Sequence, residues 1–183
     1  LTGFQYSAGP FQGFTAIAIN FLLLIQFPIG HSFFLSKSGM KILEIFAPEK
    51  YAKTLRTTVY ATIASIQLIF LFSFWNFSGV FIWQIGTPAN MIMILFNLIS
   101  WALLSISSIQ AGYKVQTGSL GWTSVYRGKK AVFPDMPTRG MFSVVRQPIY
   151  LSFSLVLWTS PEMSLDLFIV ALAYSLYCFF GPM

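Results

Sequence analysis

The stretch MIMILFNLISWALLSISSIQAGY, residues Met91–Tyr113, decides the fold. It contains no Asp, Glu, Lys or Arg. About 20 apolar residues in a helix rising about 1.5 Å each cross the roughly 30 Å hydrocarbon core of a bilayer. Hydrocarbon offers no water to the backbone amides, so an isolated segment of this kind must be helical. Upstream, Thr57–Phe77 and Phe11–Leu35 read the same way. Downstream, Ile149–Trp158 and Leu167–Phe180 are apolar but shorter. The first of these reaches only about 15 Å as a helix. It crosses only if its helix begins earlier, near Phe142, or if the bilayer is locally thin. The expectation is an all-α, polytopic transmembrane helix bundle of about five spans, one integral membrane domain over residues 1–183.

Composition points the same way. The 183 residues are 56% hydrophobic, 18% aromatic and 9% charged. A soluble domain carries roughly 25% charged residues. The net charge of +6 is explained by topology rather than by nucleic acid, because all 11 Lys and Arg fall in two windows. Ser36–Arg56 holds Lys37, Lys41, Lys50, Lys53 and Arg56. The loop from Lys114 to Arg146 holds Lys114, Arg127, Lys129, Lys130, Arg139 and Arg146. The alternate loops, Ser78–Asn90 and Thr159–Asp166, hold none. The positive-inside rule makes residues 36–56 and 114–146 cytoplasmic loops. Leu1–Pro10 then faces out and the chain ends in the cytoplasm. The expected location is the inner (cytoplasmic) membrane of a bacterium, with the lipid bilayer as solvent.

The first basic loop reads as an interfacial helix broken at Pro48. The second is too long for a simple connection and is either functional or disordered. Gly79, Gly86 and Pro88 mark a turn. Asn20, Gln26, Pro28 and His31 interrupt the first span and should face other helices or the interface. Trp75, Trp83, Trp101, Trp122 and Trp158 read as interfacial belt residues. Cys178 stands alone, so no intrachain disulfide or metal cluster forms around it. His31 is the one histidine, which argues against a His-based metal site or a Ser-His-Asp triad. It is either a base near the membrane surface or, more simply, an interhelical hydrogen-bonding residue.

One segment, Thr138–Tyr150, could carry chemistry. Arg146 lies at the edge of the short fourth span, where a guanidinium must snorkel or bind something. Pro148 suits the first turn of a helix. Tyr150 follows Arg146 by four residues and shares its face if both are helical. Together they could hold an anionic group, with Arg146 as the fork and Tyr150 as a hydroxyl donor. The plainer alternative is a topological anchor with an interfacial tyrosine.

Val145–Tyr150 resembles the Arg-His-Pro-x-Tyr motif of integral membrane methyltransferases. These include isoprenylcysteine carboxyl methyltransferases, phospholipid methyltransferases and the NnrU/methanethiol S-methyltransferase group. The likeness is closest to the last group and covers most of the chain. Asn20–Leu24 with Gln26, His31 and Ser32 resembles its Asn-Leu-Leu-Leu … Gln-His-Ser region. Lys37–Lys41 resembles its basic loop. Leu55–Tyr60 leading to Phe74-Trp75 resembles its Glu-Arg-Ser-Thr-Tyr … Phe-Trp-Gln-Trp helix. Trp158–Met163 resembles its Trp-x-Thr-Pro-x-Met.

The resemblance implies an S-adenosylmethionine-dependent enzyme with its site open to the cytoplasm. Arg146, Gln147, Pro148 and Tyr150 would be cofactor-binding, with no catalytic residue or metal assigned. It also implies a further helix before Leu1 and an acidic pair after the last helix. Three departures stand out. Gln147 replaces the motif's His and cannot titrate. Ser152 replaces a Gly that would admit close approach of the cofactor. Gly112–Gly118 occupies the place of the group's His-Phe-Asp-Leu-Phe-Gly stretch.

Two functions remain open. One is a methyltransferase acting on a small thiol or lipophilic acceptor. The other is a catalytically degenerate relative serving as an accessory subunit among other membrane subunits. A transporter or channel fits less well, since the spans carry few ionisable groups and show no inverted repeat.

Overall fold

A computed structural model describes residues 8–135 and 137–180. Most of Leu1–Pro10, Gly181 and Pro182 lie outside the described residues, as do the expected helix before Leu1 and acidic pair beyond the chain. The described chain is an all-α bundle of eight helices with one small β-ladder. In order come α1 (Gly13–Leu35), α2 (Lys37–Ile45), α3 (Ala52–Phe74), β1 (Phe81–Gln84) and α4 (Ala89–Gln110). Then follow α5 (Tyr113–Gln116), α6 (Ser119–Tyr126), α7 (Pro148–Trp158), β2 (Glu162–Ser164) and α8 (Leu165–Phe180).

Gly13–Leu35, Glu49–Phe74 and Ala89–Gln110 are long and apolar enough to cross a membrane. Their outward faces are bare hydrocarbon: Phe14 is 84% and Ile17 67% exposed. Lipid is the solvent that accepts such faces, and the chain is an integral membrane protein. α7 and α8 are apolar but only 11 and 16 residues long. α7 does not begin near Phe142. A 3-10 turn occupies Gly140–Ser143, and the helix starts at Pro148. The residue before a proline is sterically driven out of the α region, so Gln147 cannot extend the helix upstream.

The buried core gathers around α8. Val170, Ala171 and Tyr174 pack with Leu71 and Trp75 from α3 and its end, Leu157 from α7 and Met163 from β2. Lipid removes the usual hydrophobic drive between helices, so polar side chains supply the specificity. Gln26 and Gln67 each donate from Nε2 to the other's backbone carbonyl, at 2.9 Å both ways, joining α1 to α3. Asn20 Oδ1 accepts from Asn76 N at 2.8 Å, and Asn20 Nδ2 donates to Asn76 O at 2.8 Å. Asn97 Nδ2 donates to Val156 O and Thr159 Oγ1, both at 3.1 Å, joining α4 to α7. The polar residues of the first span therefore face other helices, as expected.

Four sequence expectations change. Trp75 is not a belt residue: it is 1% exposed, and its Nε1 donates to Asp166 Oδ1 at 2.9 Å. Trp158 is also turned inward, its Nε1 donating to Ser175 Oγ at 2.9 Å. The turn region after α3 contains β1, which pairs antiparallel with β2 (Trp83 opposite Met163, Gln84 opposite Glu162). Asp166 belongs to the first turn of α8 rather than to a loop.

The basic end is also more ordered than its sequence suggests. The break at Pro48 holds, with α2 ending at Ile45 and a 3-10 turn at Glu49–Tyr51. Lys53 and Arg56 then fall inside α3, which starts before Thr57. Arg56 pairs with Glu44 at 3.3 Å, tying α2 to α3. The second basic loop folds α6 back onto α3, where Thr58 Oγ1 donates to Gly118 O at 2.5 Å. Gly121 is required there, because a Cβ would sit 2.5 Å from Thr54 O.

Asp166 accepts three bonds, from Trp75 Nε1, Ser78 N at 3.0 Å and Ser78 Oγ at 2.6 Å. Asp166→Ala leaves these donors stranded and is expected to cost about 3 kcal/mol of unfolding free energy in detergent micelles. Asp166→Asn, which keeps an acceptor oxygen, should cost less. An unchanged midpoint for Asp166→Ala would remove the carboxylate as an anchor. Gln67→Leu, by contrast, should cost only about 1 kcal/mol, the scale of one interhelical hydrogen bond.

Candidate active site

The Thr138–Tyr150 segment is positioned from α4. Met141 N donates to Gln110 Oε1 at 2.9 Å at the basic end of that helix. The chain then runs to Gln147, the N-cap of α7, with Pro148 in the first turn as expected. α7 presents two faces. Pro148 and Ser152, one turn apart, are buried in the helix packing. Gln147, Tyr150, Leu151, Ser154 and Trp158 line the other face, at the three- and four-residue spacing of one helical stripe.

That stripe and α8 enclose a cleft of about 530 Å³. Ser175, Cys178 and Phe179 form the α8 wall, and Val145 and Arg146 close the basic end. The Trp158–Ser175 hydrogen bond spans the two helices at the far end of the stripe. Arg146 is exposed and, with Gln147, also lines a second groove of about 450 Å³ beside Thr138, Phe142 and Ser143. The cleft thus offers a guanidinium, an amide and several hydroxyls at one end or along its walls. The rest of its lining is the Cys178 thiol and aromatic or aliphatic side chains.

Arg146, Gln147 and Tyr150 are brought together on this cleft, as the sequence suggested. Arg146 and Tyr150 do not share a helical turn, because Arg146 precedes the helix; they meet through the cleft instead. Pro148 is buried at the start of the helix and is not among the residues lining this cleft. Ser152 is 1% exposed and lies outside the lining of this cleft. Ser154, Trp158, Ser175 and Cys178 were not anticipated. Helical spacing from Gln147 could have found the first two. No local signal marks the α8 pair. In place of the ionisable stretch, Gly112–Gly118 forms α5 and the glycine contact with α3.

A second cluster lies at the basic ends of α1, α3 and α8. The Tyr60 hydroxyl hydrogen-bonds the His31 imidazole. Ser32 Oγ and the Tyr177 hydroxyl are 2.9 Å apart. Phe27 and Tyr177 flank the imidazole, with ring centroids at 5.3 and 6.1 Å. His31 is therefore an interhelical hydrogen-bonding residue, the simpler of its two readings.

No family profile and no solved structure matches the chain. Curated relatives do. The chain is 26% identical over 167 residues to methanethiol S-methyltransferase 1 of Bradyrhizobium diazoefficiens, covering 91% of this chain and 57% of that protein. It is 23% identical to the methanethiol S-methyltransferase of Pseudomonas deceptionensis, covering 91% and 62%. It is 25% identical to that of Mycobacterium tuberculosis, covering 81% and 60%. The chain thus spans about three-fifths of the length of these relatives. Over most of its own length the chain is similar to methanethiol S-methyltransferases, at 23–26% identity.

Proposed function

We propose that the cleft between α7 and α8 binds S-adenosylmethionine from the cytoplasmic side and supports methyl transfer to a small thiol or lipophilic acceptor. The observation that carries this reading is the convergence of Arg146, Gln147 and Tyr150 with Ser154 and Ser175 on one cleft. Its volume falls in the range of about 300–1,000 Å³ usual for small-molecule sites. The residues fit the group. Arg146 suits a carboxylate, Gln147 and the serines suit the polar edges of a nucleoside, and Trp158 and Phe179 suit its flat faces. Bound there, S-adenosylmethionine supplies an activated methyl group on a sulfonium. The protein's part is to orient the two sulfur centres in line and exclude water, which needs little acid–base help when the acceptor is a thiolate. Gln147 in place of a histidine is compatible with that chemistry. The relatives' names support a thiol acceptor.

Calorimetry on the full-length protein in detergent should show S-adenosylmethionine binding, and Arg146→Ala should weaken it about 10- to 100-fold, the worth of a charge-assisted hydrogen bond. A wild type that binds none, and that co-purifies with other membrane subunits at fixed stoichiometry, supports the accessory-subunit reading instead.

Orientation is tested separately. A cysteine placed at Lys129 should react with a membrane-impermeant maleimide only in inside-out vesicles of the bacterial inner membrane. One at Val80 should react only in right-side-out vesicles. The reverse pattern overturns the cytoplasmic assignment of residues 36–56 and 114–146.

A further inference from the structure

The long helices meet lipid with hydrocarbon alone, but α2 does not. It is nine residues long, too short to cross a bilayer. Ser36 caps its start, the hydroxyl accepting from Gly39 N at 3.1 Å. Gly39 and Leu43 are buried against the neighbouring helices. Gly39 has to be glycine, because a Cβ there would collide with Phe33 O. With that face fixed inward, Lys37, Lys41, Ile42 and Ile45 are left outward, and all four are exposed. Ile45 is 77% exposed, and Phe46 at the helix end 68%. An outward face that mixes cations with bare hydrocarbon is what the boundary between headgroups and tails accepts.

After α2 the chain turns at Pro48 and enters α3, and this elbow encloses an open hollow of about 600 Å³. Three lysines line it, each from a different element: Lys41 of α2, Lys50 of the 3-10 turn and Lys53 of the first turn of α3. Two carboxylates, Glu44 and Glu49, share the lining. Glu44 is met by Arg56 at 3.3 Å. Lys50 Nζ rests 5.3 Å from the centroid of the Tyr51 ring, an uncharged partner that leaves its charge in place. Three lysines therefore face Glu49 alone, and the hollow keeps a positive excess. Ile45 lines the same hollow, with Phe46 next to it. A dissolved anion would gain nothing from these two side chains. An anionic amphiphile gains from both halves of the site, its phosphate from the lysines and its tails from the hydrocarbon.

We propose that the α2–α3 elbow binds one anionic phospholipid from the leaflet at the basic end of the bundle, with Lys41, Lys50 and Lys53 around its phosphate and Ile45 and Phe46 against its acyl chains. A zwitterionic lipid is disfavoured, because its own cation would face the same lysines. The bound lipid would bridge α2 to the start of α3, across the turn that Arg56 and Glu44 already clasp from the other side of Glu44. No residue lines both this hollow and the α7–α8 cleft, so lipid occupancy and methyl transfer can be measured apart.

Native mass spectrometry of the full-length protein in detergent, titrated with phosphatidylglycerol or phosphatidylcholine, reads the site directly. One phosphatidylglycerol should bind per chain, about ten-fold more tightly than phosphatidylcholine, as expected for a small excess of positive charge near the headgroup. Lys41→Gln, Lys50→Gln and Lys53→Gln should each weaken it about five-fold, the worth of one basic side chain near an anionic lipid. Lys41→Arg should retain it. The paired change Ile45→Ser with Phe46→Ser should weaken the lipid as well, and excess inorganic phosphate should not displace it from the wild type. Lys129→Gln with Lys130→Gln, which removes charge outside the hollow, should leave binding unchanged. Equal binding of the two lipids overturns the site. A loss in the Lys129 and Lys130 pair as large as in the elbow variants shows a general attraction of net charge and overturns it too. Displacement by inorganic phosphate, with no effect of the Ile45 and Phe46 changes, shows a free-anion site and overturns the lipid.

Discussion

A single carboxylate holds the cation-free end of the bundle together. Asp166 is 3% exposed and receives donors from Trp75 and Ser78, just where the chain leaves α3. No lysine or arginine falls in the loops at that end, so the charge is met by neutral donors and by the N-terminal turn of α8. Water cannot stand in for a missing donor in a buried site of this kind. The geometry is therefore strict: α8 must start beside the end of α3. β2, immediately before α8, is then brought against β1, the next element after α3. The ladder follows from the anchor as much as from its own pairing.

Everything at the basic end follows from the direction this gives α8. With its start fixed, α8 runs toward the basic loops beside α1 and α7. Ser175, Cys178 and Phe179 then face the α7 stripe and make the cleft. Tyr174 and Tyr177 turn toward α1, where they meet Phe27, His31 and Ser32. A helix of only 16 residues thus serves both the cleft and the histidine cluster. The shortness of α7 has a similar consequence. Because Pro148 stops the helix from extending upstream, Arg146 and Gln147 lie on a non-helical segment free to face both the cleft and the neighbouring groove.

Hydropathy revealed the long spans because their length and apolarity are local properties, present in Met91–Tyr113 without reference to anything else. The helix start beside Arg146 and Tyr150 was legible for a related reason, since a proline at the edge of an apolar run constrains the backbone on its own; Gln147 entered as a site residue only through the resemblance to membrane methyltransferases. Trp75 was misread because an indole near the end of a span looks the same whether it meets the membrane interface or a buried acid 91 residues later. No local signal marked Ser175 or Cys178 as lining the cleft. Their role depends on which helix faces α8, and an apolar helix in lipid has no preferred face of its own.

The sequence by itself determined that this is a membrane-embedded helical chain, with its cations sorted into alternate loops and one motif-bearing segment at a helix start. These follow from hydropathy, charge spacing and proline sterics, all of which act within a few residues. The tertiary structure alone decided that Asp166 anchors Trp75 and that α7 and α8 share a cleft. It also decided that His31 meets Tyr60. Each depends on a hydrogen-bonding or packing partner distant in the chain, and lipid leaves that choice to the few polar groups able to find one another.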